Sequence, residues 1–125
     1  LADDGPDGDA ARARLRGETL AAPELVDLEV ASVLRRQNRA GMLDNRRAQL
    51  ALTDLGALPM VRASHLALLR RCWELRENVT TYDAAYVALA EALDAMLLTG
   101  DRRLAHAAGP TCTIELLRTP PAAES

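Results

Sequence analysis

A small α/β domain with a short, mostly parallel sheet is predicted by three features of this sequence. Helical stretches alternate with short apolar runs: LPMVR at 58–62, DAMLLT at 94–99 and TCTIELL at 111–117. Each helical stretch carries its own start and stop residues. The 125 residues, 49% hydrophobic and 26% charged, suit one domain with a real core.

The opening LADDGPDG has the look of a turn after a preceding element, so the native protein is expected to extend upstream of Leu1. Asp9 can cap a short helix through Arg16 that Gly17 ends. Pro23 opens PELVDLEVASVLRRQNRAG, in which Leu25, Val26, Leu28, Val30, Val33 and Leu34 give broad helical apolarity; Gly41 stops it, and Arg35, Arg36 and Arg39 suit its C-terminal end. Asp44 caps NRRAQLALTDL, which ends at Gly56. Ser64 starts SHLALLRRCWELREN, with Leu66, Leu69 and Trp73 read as the inward face and Leu68 and Cys72 as its margin. Thr80 starts TYDAAYVALAEAL, and DRRLAHAA forms a short helix after the DAMLLT strand. The domain is expected to span 1–117, with a frayed tail over 118–125.

Composition excludes several classes. No apolar run approaches the roughly 20 residues of a membrane span, and nothing resembles a signal peptide. Cys72 and Cys112 are too few and too far apart for a disulfide framework or a zinc site, and read as buried thiols of a reducing cytoplasm. His65 and His106 have no metal-ligand spacing and read as surface or structural. The net charge of −3 is uneven, because Asp3, Asp4, Asp7 and Asp9 crowd the start and leave 14 acids against 15 basic residues. Every basic residue is Arg. A GC-rich genome explains that blandly; bidentate phosphate contact explains it functionally. Aromatics make up only 2%, with no Phe, so few rings are available for base stacking and Trp73 is assigned to the core.

Three acids stand where carboxylates need a reason. Asp83 fits the first turn of a helix capped by Thr80, yet it shares a stripe with Tyr86, Val87 and Ala90 and is expected to point inward. Asp101 follows a strand at the end where ligands gather in parallel sheets; it would equally cap the next helix. Glu29 has Leu25, Val26, Ser32 and Val33 at its helical neighbour positions, none of them basic. Its burial without a cation would be costly, so a metal ion or a distant Arg is expected beside it. Asp27 is a weaker candidate. Three acids without His or Cys companions suit a hard cation, Mg2+ or Mn2+. Such a site can activate water for in-line displacement at a phosphodiester.

ELVDLEVASVLRR, YDAAYVALAE and LLTGDRRLA, in that order and spacing, resemble PIN-domain nucleases of the VapC type, toxins of bacterial type II toxin–antitoxin pairs. The resemblance covers about Leu1 to Leu117. It implies a three-layer fold with a short parallel central sheet between helices, and Mg2+-dependent endoribonuclease activity. It also implies a cognate antitoxin covering the cleft and a homodimer; with no long apolar run, no membrane partner is expected. It places metal ligands and catalytic acids at Glu29, Asp83 and Asp101, with Thr99 behind them. Arg102, beside Asp101, is the best candidate for RNA phosphate contact. The family begins with an apolar strand ending in a further acid, which would lie upstream of Leu1; without it the chain is expected to lack its first strand and one ligand.

Two other classes compete with this reading. Phosphoacceptor receivers and haloacid-dehalogenase-like phosphatases also gather strand-end acids, but ordinarily use a Lys, and this chain has none. A PIN-like binding or dimerisation module with an incomplete metal site remains as the alternative.

Overall fold

The computed structural model describes residues 19–117. The short helix expected over 9–16 and the tail from 118 lie outside them. In chain order the elements are β1 (Leu20–Pro23), α1 (Val26–Arg39), α2 (Asn45–Ala57), β2 (Met60–Ala63) and a 3-10 turn at Leu66–Leu68. They continue with α3 (Leu69–Glu74), α4 (Thr81–Ala92), β3 (Leu97–Thr99), α5 (Arg102–Ala105) and β4 (Ile114–Leu116).

The helix boundaries follow local chemistry. Asp44 accepts from the Arg47 backbone N–H at 2.8 Å and Thr80 from that of Asp83 at 3.3 Å, each satisfying an orphan donor of its helix. At the end of α1, Gly41 takes a φ of +78°, and the Met42 N–H reaches back to the Gln37 carbonyl at 2.9 Å. That closure needs a left-handed residue, which glycine adopts without strain. Gly56 sits inside the last turn of α2, which runs one residue further to Ala57.

The expected parallel pairing is present, divided between two sheets. β1 pairs with β2 in the register Leu20–Met60 to Pro23–Ala63, and β3 with β4 from Leu97–Ile114 to Thr99–Leu116. The sequence reading missed β1. LAAP has low strand propensity, and only the partner edge at Met60–Ala63 makes it a strand. Its last residue, Pro23, has no N–H to donate, and the Glu24 N–H completes the ladder on the Ala63 carbonyl at 2.9 Å.

Helix α4 organises the core. Six of its residues, Ala84, Ala85, Val87, Ala88, Leu89 and Ala90, are buried, as expected of a helix apolar on nearly every side. It touches α3 and both sheets, through β1 and β3. Between those sheets, β1 and β2 on one side and β3 and β4 on the other, lies a cleft of about 610 Å3 lined by Tyr86 and Leu89 of α4 and by Leu93 at its C-cap.

The inward face of α3 is only in part the one expected. Leu68, Cys72, Leu75 and Val79 are buried against α4, whereas Leu66, Leu69 and Trp73 are exposed, Trp73 at 68%. Both stripes have helical spacing. The alanines of α4 allow a close approach that smaller side chains exploit and an indole would block. Trp73 instead lies under the Arg76 guanidinium, 4.6 Å from its ring centroid.

Candidate active site

The candidate acids come from three helix starts. Glu29 lies in the first turn of α1, Asp83 in the first turn of α4, and Asp101 at the N-cap of α5, just beyond β3. An acid in a first helical turn faces the positive end of the backbone dipoles.

Glu29 is exposed, so the burial expected for it is not found. Its partner is neither an Arg nor a residue of its own helix. The Tyr86 hydroxyl on α4 donates to Glu29 Oε1 across 57 positions of sequence. Tyr86 itself is half-buried. Burial first, then the hydrogen bond and charge of Glu29, and then the charges of Asp83 and Asp27, push its phenol above the usual range. The phenol therefore stays a donor at neutral pH, and three carboxylates act on this one hydroxyl.

Asp27 differs from the other two. Both its carboxylate oxygens accept from Arg62 Nε, at 3.0 and 2.9 Å, and Arg62 also donates to the Leu55 carbonyl at 2.7 Å. Sequence reasoning overlooked this pair. The available signal was one Arg in the apolar run LPMVR, a charge on a strand that needs a partner. The signal for Tyr86 was similar, a hydroxyl on the inward stripe of α4.

Glu29 and Asp83 have no cationic partner among the described residues. Glu29, hydrogen-bonded to Tyr86, and Asp83, three residues before Tyr86 on α4, are two oxygen donors of the kind a hard divalent cation takes. Asp101 is engaged differently. Its carboxylate accepts from the Arg103 N–H at 2.9 Å, and its own N–H donates to Thr99 Oγ1 at 3.0 Å. Thr99 thus supports Asp101, and Arg102 and Arg103 stand exposed beside it. Among the described residues, no three of His, Cys, Asp and Glu are close enough together to hold one ion. The structure therefore joins Glu29 to Tyr86 on the helix that carries Asp83, and keeps Asp101 at its cap.

The PIN domain family model matches residues 1–110. The chain belongs to the PIN-domain family. Curated relatives agree with that assignment. This PIN domain is 44% identical over 119 residues to Ribonuclease VapC1 of Mycobacterium tuberculosis, covering 94% of this chain and 90% of the relative. It is 43% identical over 110 residues to Ribonuclease VapC9 of the same organism, covering 86% and 84%. With Ribonuclease VapC12 the identity is 37% over 112 residues, covering 90% and 87%. Among the described residues of this PIN domain, no helix is long and apolar enough to cross a membrane.

Proposed function

We propose that this PIN domain is a metal-dependent endoribonuclease, the toxin of a type II toxin–antitoxin pair. The observation that carries this reading is the hydrogen bond from Tyr86 to Glu29, which joins the exposed Glu29 to the helix whose first turn holds Asp83, with no cation paired to either acid among the described residues. Relatives named as ribonucleases across nearly the whole chain support it. Glu29 and Asp83 would hold Mg2+ or Mn2+, with Asp101 as a further acid and Thr99 behind it. Such an ion supplies Lewis acidity and a water of lowered pKa. The chain itself contributes negative charge to bind the ion, and Arg102 to hold an RNA phosphate near β3. A cognate antitoxin and a homodimer complete the proposal.

A second reading, a PIN-like binding or dimerisation module with an incomplete site, draws on the separate engagement of Asp101 in its own cap. One experiment divides the two. The purified protein is incubated with structured RNA and Mg2+ or Mn2+, alongside Glu29→Gln and Asp83→Asn. The nuclease reading expects metal-dependent cleavage that both variants abolish while their circular dichroism is unchanged. Full cleavage by either variant removes that residue from the site, and absence of cleavage in the unaltered chain favours the binding module.

A further inference from the structure

We propose that Tyr86 is a positioning residue for the metal site: its hydroxyl holds Glu29 in the orientation that presents the second carboxylate oxygen to the cation. The inference rests on the reading of Glu29 as a ligand. Glu29 is exposed, and a flexible carboxylate on a helix surface must lose rotamer freedom before it can bind an ion. Tyr86 stands on the most deeply buried helix, flanked by Ala85 at 5% and Val87 at 0% exposure, so the mounting is rigid. Its hydroxyl occupies Oε1, which leaves Oε2 and its lone pairs unclaimed by this bond. Asp83 lies three residues earlier on α4, so the helix that carries one ligand also sets the orientation of the other. Glu29 is thus held through its carboxylate by a residue outside its own helix.

Hydrogen-bond partners behind metal ligands typically influence metal affinity by roughly 10–100-fold. The test is Tyr86→Phe, which keeps the ring and removes the donor. Mn2+ binding by the full chain is measured from the electron paramagnetic resonance of unbound Mn2+, for the unaltered protein, Tyr86→Phe and Glu29→Gln. The expected result is a dissociation constant raised roughly 10–100-fold in Tyr86→Phe, with cleavage restored at saturating Mn2+ and an unchanged KM for RNA. A purely structural Tyr86 would lower thermal stability and leave the Mn2+ constant alone, which overturns the proposal. Equal Mn2+ binding by the unaltered protein and Glu29→Gln overturns instead the assignment of Glu29 as a ligand, and this inference with it. Should Tyr86→Phe fail to fold, the Tyr82→Phe protein retains Tyr86 as its single tyrosine. Its near-ultraviolet phenol absorbance should then shift on Mn2+ addition, and absence of a shift counts against the proposal.

Discussion

Arg71 donates from Nε and Nη2 to the two carboxylate oxygens of Glu91, at 2.7 and 3.1 Å, joining α3 to α4 through a bidentate pair. The same two residues also tie down the loop before β4. Arg71 Nη2 reaches the Gly109 carbonyl at 3.0 Å, and Glu91 Oε2 accepts from the Thr111 N–H at 2.8 Å. Planar fork geometry makes such a pair both stronger and more specific than a single contact.

This pair makes stability acid-sensitive. The Arg71 hydrogen bond, assisted by Thr111, holds the Glu91 carboxyl at about 2 against an ordinary 4.5. A depressed folded-state pKa contributes stability that is fully present above the unfolded value and lost as pH falls from about 4.5 toward 2. The contribution is at most roughly 3 kcal/mol. Urea unfolding followed between pH 6 and pH 3 should show the unaltered protein losing stability steeply, and Glu91→Gln, already weaker at pH 6, changing less.

Asp101 can be tested by separating its two possible tasks. Asparagine caps a helix about as well as aspartate, whereas alanine costs about 1 kcal/mol. Asp101→Asn should therefore keep the melting temperature near that of the unaltered protein, and Asp101→Ala should lower it. Loss of cleavage in both variants supports a role for the carboxylate charge; full cleavage by Asp101→Asn returns the residue to capping alone.

Asp27 should prove structural. Its carboxylate is matched by Arg62, and its side chain is 41% exposed, so the pair contributes under about 1 kcal/mol. Asp27→Asn should leave cleavage of RNA within about twofold of the unaltered rate, since a loss of under 1 kcal/mol in the fold leaves the population of folded protein nearly unchanged. Arg62→Met should cost more than Asp27→Asn in thermal unfolding, because it also leaves the Leu55 carbonyl without its donor.

Gly109 should resist substitution. It takes a φ of +109°, and a Cβ there would meet Leu75 Cδ2 at 3.1 Å. Leu75 is only 2% exposed and has little room to move. Gly109→Ala is expected to destabilise by about 1–3 kcal/mol, read by calorimetry, whereas alanine at Gly100, where nothing lies within 4 Å, should be tolerated.

Whatever depends on neighbours within four residues was legible in the sequence alone. The caps at Asp44, Thr80 and Asp101, the glycine closure at Gly41 and the apolar pattern of α4 fall in that class, and the short apolar runs of β2, β3 and β4 could be read as strands. The tertiary structure alone decided which of two equally periodic stripes of α3 faces inward. It alone made LAAP a strand, through an edge forty residues away. It also replaced the buried, unpaired Glu29 with an exposed carboxylate bound to Tyr86, and matched Asp27 to Arg62. The physical reason is common to all of these: helix caps close within one turn of chain, whereas a side chain's partner across the fold depends on how elements pack. The acids could be singled out from sequence, but what holds Glu29 and Asp27 was settled by the approach of α1 to α4 and β2.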